Sequence, residues 1–209
     1  MQEVLPNLRY ATLASESSLQ AAARRLNENG MTAYIVESGA NAHRLALELI
    51  PDGAEVFTAT SQTLDEIGLR AAIDASPRLR SVRTVLSQMD MATQWHEMRV
   101  LGARPDVVIG SVHAITEQGK VVVASASGSQ LGPYASGAGK VSWVVGSQKI
   151  VPNLDEAMRR IEEYALPLED ERAQLAYGQG SFIGKELIFY REYLPDRVHV
   201  ILVKEKLGF

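Results

Sequence analysis

Three short apolar segments between Asp106 and Gly146 constrain the possible folds of this chain most strongly. They are rich in Val and Ile, they are separated by glycines and small polar residues, and they span residues 107–109, 121–124 and 141–145. Apolar runs of this kind, rich in β-branched residues, are typical of strands buried on both faces, as in a parallel sheet that helices cover. We therefore expect the three segments to be neighbouring core strands of one such sheet.

The rest of the chain alternates between strand-like and helical patterns. A helix that carries Leu19, Ala22 and Leu26 should begin at Ser15 or Ser17 and end at Asn29-Gly30. Further strands are predicted at 33–37, 54–58, 82–86 and 197–203, and further helices at 43–50, 63–74, 90–103, 153–167 and 168–177. This alternation predicts βαβ units and a three-layer α/β/α fold with an open, mainly parallel sheet.

One domain of residues 1–209 is expected, with residues 1–30 as a helical lead-in, because short loops join consecutive elements and no repeat or linker is present. The net charge of −4 is dispersed and gives no basic footprint for nucleic acid. No apolar segment approaches the ~20 residues that span a bilayer, and the N-terminal residues do not resemble a signal peptide, so a cytoplasmic location without membrane insertion is expected.

The sequence contains no cysteine, which excludes disulfides, thiolate-bound zinc and iron–sulfur clusters held by this chain. The four histidines are far apart in sequence, and none forms a close-spaced metal pair. No metal site is predicted, and no cofactor can be named from the sequence.

Four segments together form a recognisable pattern. They are Ser-Gln-Thr-Leu-Asp-Glu-Ile-Gly-Leu at 61–69, Ala-Ile-Thr-Glu-Gln-Gly at 114–119, Val-Val-Gly-Ser-Gln-Lys-Ile-Val at 144–151 with Asn-Leu-Asp-Glu-Ala at 153–157 and Arg160, and the end of the chain from Val200 to Leu-Gly-Phe at 207–209. In this order the segments resemble the lactate-utilisation domain family, called the LUD family. The resemblance covers residues 33–209.

The resemblance implies a fold like that of the sugar-phosphate isomerase and CoA-transferase superfamily. It also implies a role in organic-acid metabolism, in which lactate is oxidised to pyruvate, often beside iron–sulfur partner subunits. One departure concerns the loop after residues 120–125. Many members have Gly-Asn-Arg there, whereas this chain has Gly128, Ser129 and Gln130, so a guanidinium suited to planar recognition of a carboxylate is missing.

Glu117 is the candidate catalytic residue. It lies where an apolar segment gives way to a glycine turn, and a carboxylate there could act as a general base or as a nucleophile that forms an acyl intermediate. The alternative is a carboxylate that caps a turn or pairs with a nearby cation. His113 could act beside Glu117 as an acid or base, or it could be structural.

The candidate ligand-binding residues lie in loops that follow strands. Ser61 and Thr63 are at a predicted helix N-terminus, where free N–H groups attract anions, although ordinary capping also explains Thr63. The other candidates are Gly119, Gly128, Ser129, Gln130 and Lys149. Because loops at the carboxyl ends of parallel strands gather at one edge of a sheet, we expect Glu117, Ser61, Thr63 and residues 128–130 to share one pocket.

The leading hypothesis is a LUD-type protein that binds a small anionic metabolite at this edge. One alternative is an enzyme similar to CoA transferases or sugar-phosphate isomerases that acts through Glu117. The other is a non-catalytic subunit that supports a redox complex with iron–sulfur partners. Whether the chain is itself an enzyme is left open, and a homo-oligomer is compatible with the sequence.

Overall fold

The computed structural model describes residues 5–209. Its strands are β1 Thr32–Val36, β2 Glu55–Thr58, β3 Arg80–Ser81, β4 Val107–Gly110, β5 Ala114–Thr116, β6 Val121–Ser125, β7 Lys140–Gly146, β8 Ile150–Val151, β9 Lys185–Phe189 and β10 Val198–Val203. Its α-helices are α1 Glu16–Glu28, α2 Gly39–Glu48, α3 Gln62–Glu66, α4 Leu69–Ala75, α5 Val82–Ser87, α6 Trp95–Ala103, α7 Leu154–Arg160 and α8 Leu166–Tyr177. Within the described residues, no helix is both long enough and apolar enough to cross a membrane.

Six strands form the central sheet in the order β1-β10-β7-β4-β2-β3, and every neighbouring pair is parallel. Successive side chains of a strand point to opposite faces. On β4, Val107 and Ile109 therefore pack with α2, α3 and α4, whereas Val108 packs toward α1 on the other face. The predicted α/β fold with a mainly parallel sheet between helices is confirmed.

A second sheet, in the order β8-β5-β6-β9, was not anticipated. One of its faces packs on the central sheet through Ile115, Val121 and Val123. Its other face carries Ala114 and Val122 and packs on α7 and the turn that follows it. The α1 side of the molecule is therefore thicker than a single layer of helices.

The prediction that residues 121–124 are a core neighbour of 107–109 and 141–145 in one sheet is wrong. The segments 107–109 and 141–145 do pair, as β4 and β7, but 121–124 is β6 of the second sheet. The reason is the short connection before it. Only the turn at residues 117–120 separates β5 from β6, and a parallel crossover needs about a dozen residues or more. Antiparallel pairing, with Ile115 opposite Val121, is the only arrangement that this turn permits.

Two other local predictions also change. Residues 82–86 were expected to be a strand but lie in α5, because the Ser81 side chain accepts a hydrogen bond from the Thr84 N–H and caps a helix there. Only Arg80–Ser81 pairs with the sheet edge. The helix predicted for 90–103 begins later, at Trp95.

The helical segment from α7 to α8 contains a π-helical turn, Ile161–Ala165. Such turns are often found at functional sites, because they shift the register of a helix locally. Here the turn and the start of α8 lie over the end of the second sheet and place Ile161, Ala165 and Leu166 at the wall of a cavity.

Candidate functional site

A cavity of about 350 Å³ opens at the carboxyl edge of the central sheet. Three of the segments that line it follow strands of the central sheet: residues 59–63 after β2, 111–113 after β4 and Lys149 after β7. In the central sheet, the strand that follows β2 in sequence, β3, lies on one side of this cavity, whereas the strand that follows β4, β7, lies on the other side. The crevice between β2 and β4 is thus a point where the strand order reverses, which is the usual ligand position in open parallel sheets.

Lys149 is almost fully buried in this cavity wall, with only 2% of its surface exposed. The turn Ser147–Lys149 at the end of β7 places it there. Its Nζ donates to Thr63 Oγ1 at 3.0 Å and to Ser111 Oγ at 3.1 Å. Both partners follow strands of the central sheet, so the sheet itself fixes the position of the amine.

Both hydroxyl groups can only accept from this amine. The Thr63 hydroxyl donates its own hydrogen to the main-chain oxygen of Leu207 at 3.1 Å, and the Ser111 hydroxyl donates to that of Val144 at 2.7 Å. A carbonyl oxygen has no hydrogen to give, so each hydroxyl hydrogen is committed. Two N–H groups of Lys149 are therefore engaged in hydrogen bonds to these hydroxyls, and the third position on the nitrogen has no partner in either of them.

No carboxylate within residues 5–209 lies within 4.0 Å of the Lys149 amine. Burial lowers the pKa of Lys149 well below its usual value, and the positive charge of Arg160 lowers it further, while Glu66 opposes them. A lysine with this environment loses its proton far more readily than a solvated one.

Arg160 lies behind the cavity on α7 and is fully buried. Its Nε donates to the main-chain oxygen of Gln148 at 3.3 Å, its Nη1 donates to that of His113, and its guanidinium lies 5.1 Å from the centre of the Tyr164 ring. Its Nη2 has no partner among the described residues. Burial lowers the pKa of Arg160 to about 10. Arg160 thus braces the two backbone segments that carry the cavity residues His113 and Lys149.

His113 lines the cavity at the start of β5. Its Nδ1 lies 3.1 Å from the Ala124 N–H and must accept from it, since a main-chain N–H only donates. The imidazole is therefore neutral and carries its hydrogen on Nε2. Burial lowers the pKa of His113 to about 3, and the charges of Lys149 and Arg160 add to this effect. His113 can donate a hydrogen bond at neutral pH, but it is not a proton shuttle there.

Two arginines stand on other parts of the wall. Arg83 of α5 donates through Nη2 to the Thr58 oxygen at 3.0 Å and to Thr60 Oγ1 at 3.0 Å, and it has no carboxylate partner among residues 5–209. Arg172 of α8 forms a bidentate pair with Glu169, at 2.6 and 2.7 Å. Since Glu169 is the one acidic side chain among the lining residues and is paired, the wall carries an excess of positive charge.

Five of the predicted site residues line this cavity: Ser61, Thr63, Ser129, Gln130 and Lys149. Ser61 caps α3 by accepting from the Leu64 N–H at 3.4 Å. The Gln130 oxygen accepts from the Ser125 hydroxyl at 3.0 Å, so this amide pins the loop after β6. The Lys149 amine donates to Thr63 and Ser111 and does not contact Glu117.

Glu117 does not line the cavity, and the prediction that it shares a pocket with Ser61 is wrong. Strand β5 starts at the cavity beside His113 and runs away from it, so four residues at ~3.3 Å each carry Glu117 roughly 13 Å along the strand direction. There its main-chain N–H donates to Val151 O at 2.9 Å. The second sheet is mixed, and its strand β5 carries Glu117 away from the edge where a loop after β4 alone would have placed it. A catalytic role for Glu117 remains a prediction.

Gly119 and Gly128 also lie outside the cavity lining. Each has a backbone reason to be glycine, with φ of +74° and +85°. A Cβ on Gly119 would lie 2.7 Å from the main-chain carbon of Arg25 at the end of α1, and one on Gly128 would lie 2.8 Å from the Lys185 side chain.

Sequence reasoning missed Ser111, Arg83 and Arg172 as cavity residues. Ser111 directly follows the buried strand β4, and that position could have marked it as a residue of the carboxyl edge. Arg83 was hidden because its segment was expected to be a strand. Arg172 depends on how α8 is placed after the π-helical turn, which no local pattern reveals. No group of three or more metal-ligating side chains occurs in residues 5–209.

The parallel sheet with a cavity at its carboxyl edge places the chain among α/β proteins with an open, helix-covered sheet. The LUD domain model matches residues 19–203, and the chain belongs to this family, whose family-level role is lactate utilisation. A DUF162 family protein from Deinococcus radiodurans, known from its crystal structure, has a similar fold, with 13% identity, a TM-score of 0.50, and coverage of 92% of this chain and 99% of that chain. No curated protein matches the sequence.

Three of the four segments that resemble the family converge on the Lys149 amine. The first supplies Thr63, the third supplies Lys149 and Arg160, and the last supplies the Leu207 oxygen that holds the Thr63 hydroxyl. Gln148 joins the last two, because its amide donates to the Leu207 oxygen at 2.9 Å. The second segment, at 114–119, begins next to His113 and leads away from the cavity.

Proposed function

We propose that the cavity binds a small organic anion of the 2-hydroxy or 2-oxo carboxylate class, such as lactate or pyruvate. The observation that carries this proposal is a set of basic groups without carboxylate partners, namely the Arg83 guanidinium and the Lys149 amine in the wall and the Arg160 guanidinium behind it. Buried charges are normally paired, so a carboxylate ligand supplies what the folded chain lacks. Membership of the LUD family directs the choice to lactate and pyruvate.

The polar groups around the cavity suit such a ligand. Hydroxyl groups of Ser61, Ser127 and Ser129 belong to residues that line the cavity, and the neutral His113 offers an N–H donor. The volume of about 350 Å³ is at the lower end of the ~300–1,000 Å³ typical of ligand pockets. Arg83 and Gln130 line the same cavity, so Arg83 supplies this wall with a guanidinium that Gln130 does not.

The test compares ligands that differ only in charge. Thermal unfolding is measured with lactate, pyruvate and the uncharged lactamide, together with CoA esters and sugar phosphates. We expect lactate or pyruvate to raise stability by ~2.7 kcal/mol at a hundredfold excess over its Kd, and lactamide to have no effect. Equal stabilisation by lactamide, or none by either acid, would contradict the proposal.

Variants then locate the site. Lys149→Met and Arg83→Gln should each remove the ligand-dependent rise in melting temperature. Lys206→Met is the matched control, because Lys206 is exposed on the chain outside the cavity lining. Loss of binding in the control as well would mean that the effect comes from net charge rather than from this cavity.

The two alternative functions stay predictions. Stabilisation by CoA esters or sugar phosphates, in place of lactate or pyruvate, would favour an enzyme of the CoA-transferase or isomerase type. A non-catalytic subunit would bind iron–sulfur partners without responding to any of these ligands, which co-purification with candidate redox subunits would detect.

A further inference from the structure

Within the cavity, the hydrogen bonds of Lys149 leave a specific position on its nitrogen free. The Thr63 and Ser111 hydroxyls both accept from the amine, and their own hydrogens are held by carbonyl oxygens. A neutral amine has two N–H groups and one lone pair. Its two N–H groups are donated to the two hydroxyl oxygens. Neither hydroxyl has a hydrogen left to donate, so the lone pair of the amine has no hydrogen-bond partner in Thr63 or Ser111.

The surroundings also disfavour the charged amine. Lys149 is 2% exposed, no carboxylate in residues 5–209 lies within 4.0 Å of it, and the neighbouring buried cation is Arg160. Desolvation beside a second cation is a recognised way to activate a lysine as a nucleophile toward carbonyl compounds. A lysine that served only as a counter-ion would gain from a carboxylate in its surroundings rather than from a guanidinium behind it.

We propose that the Lys149 amine is a nucleophile that captures the carbonyl carbon of a 2-oxo acid as an imine. This inference rests on the proposed function and adds the chemical class of the ligand and the bond that it forms. The carboxylate of the acid lies toward the excess positive charge of the wall, and the 2-oxo carbon faces Nζ.

The step balances without any further reactant. The nitrogen lone pair attacks the carbonyl carbon, the carbonyl oxygen takes up a proton, and a carbinolamine results. The nitrogen then forms the second bond to carbon while the oxygen leaves as water, which carries away two protons that Nζ has lost. The sum is amine plus 2-oxo acid giving imine plus water, with no change in oxidation state.

Arg160 is the positioning residue in this scheme, because it does not line the cavity. Its Nε fixes the main-chain oxygen of Gln148, the residue before Lys149, and its charge adds to the larger effect of burial in lowering the pKa of the amine. A conservative pair of variants separates the two effects. Arg160→Lys keeps a charge and loses the fork of donors, whereas Arg160→Gln keeps donors and loses the charge.

The experiment traps the imine. The full chain is incubated at neutral pH with pyruvate and sodium cyanoborohydride, which reduces an imine to a stable secondary amine, and the labelled lysine is located by peptide mass spectrometry. The expected mass increase equals pyruvic acid less one oxygen atom. We expect several-fold more label on Lys149 than on any other lysine, since solvated lysines with a pKa of ~10.4 are almost fully protonated at this pH. Lactate, which has a hydroxyl in place of the 2-oxo group, should give no label and should compete.

Calorimetric binding of pyruvate, measured in parallel, separates failure of this inference from failure of the proposed function. If pyruvate binds but labels Lys149 no more than the exposed Lys206, the imine is refuted and the anion site stands. If pyruvate and lactate both fail to bind and no lysine is selectively labelled, both are refuted. In Arg160→Gln the labelling profile should shift to higher pH, and in Arg160→Lys it should stay near that of the wild type. Circular dichroism confirms that each variant is folded, and an unchanged profile in folded Arg160→Gln would remove Arg160 from the scheme.

Discussion

Thr63 and Lys149, which are far apart in sequence, meet at a hydrogen bond of 3.0 Å between the threonine hydroxyl and the lysine amine. The same hydroxyl is held by the Leu207 oxygen near the end of the chain. The carboxyl end of the sheet thus brings the loop after β2, the turn after β7 and the segment after β10 to one point. The amine is fixed on two sides by groups that can only accept hydrogen bonds from it.

Replacement of Lys149 by methionine should not destabilise the protein. Methionine fills a similar volume, and Thr63 and Ser111 each keep the hydrogen bond that they donate to a carbonyl oxygen. Because the pKa of Lys149 is lowered, the unfolded chain binds the proton more tightly, and the lysine costs stability at neutral pH. We expect Lys149→Met to leave the free energy of unfolding unchanged or to raise it by about 1 kcal/mol. Replacing a residue of a functional site often raises stability while function is lost.

Urea unfolding at neutral pH and near pH 10 measures this effect. The difference in the free energy of unfolding between the variant and the wild type should shrink as pH rises toward the usual pKa of lysine. Near that pH the unfolded wild type no longer holds the proton, so folding no longer has to release it. Destabilisation of the variant by ~2 kcal/mol or more would show that the amine is a structural hydrogen-bond centre whose loss leaves partners unsatisfied.

His113 should make the protein sensitive to mild acid. Its pKa is lowered from the ordinary 6.5 to about 3, so between these values the unfolded chain binds a proton that the folded chain does not. The stability contribution is therefore fully present above pH 6.5 and is lost as pH falls toward 3. At pH 5 the loss relative to pH 7 should be about 1–2 kcal/mol.

The matched variant is His113→Gln, whose side-chain oxygen can accept from the Ala124 N–H as Nδ1 does but cannot titrate. The difference in the free energy of unfolding between pH 7 and pH 5 should be smaller in the variant than in the wild type. An imidazole that titrates near 6.5 by NMR in the folded protein would contradict this prediction.

The central sheet could be predicted from the sequence because each of its features is local. Buried parallel strands have mostly apolar segments, as in β4 and in residues 141–146 of β7, where Ser142 is the one polar residue. The lead-in helix is marked by Ser15, which caps α1 by accepting from the Ser18 N–H. Such signals need no knowledge of the partner strand.

The partner of a strand and the direction of its neighbours are not local. The β-branched residues of β6 read the same in a parallel or an antiparallel sheet, and only the short turn at 117–120 separates the two cases. Strand β5 was not predicted, so Glu117 was placed in the loop that follows β4 and was thereby linked to Ser61. Lys149 was identified, but its burial and the proximity of Arg160 depend on how α7 packs on the second sheet.

Gly119 should be far less tolerant of a side chain than Gly53. Both have positive φ, +74° and +78°, so alanine costs about 1 kcal/mol of backbone strain at either position. At Gly119 the new Cβ would also lie 2.7 Å from the Arg25 main-chain carbon, whereas at Gly53 no atom lies within 4 Å. We expect Gly119→Ala to lower the free energy of unfolding by at least ~1 kcal/mol more than Gly53→Ala, because rigid backbone must move. Equal losses in thermal unfolding would mean that α1 and the turn after β5 separate easily.

The change Glu117→Gln tests whether the cavity at Lys149 or the turn after β5 is the functional centre. Glu117 does not line the cavity, so pyruvate binding and labelling of Lys149 should be within about twofold of the wild type, a difference below ~0.5 kcal/mol. Lys149→Met, by contrast, should abolish both. If a reaction of this protein is found, loss of turnover in folded Glu117→Gln with ligand binding intact would establish the carboxylate as a catalytic group. A changed melting temperature with binding and turnover unchanged would assign Glu117 to the turn alone.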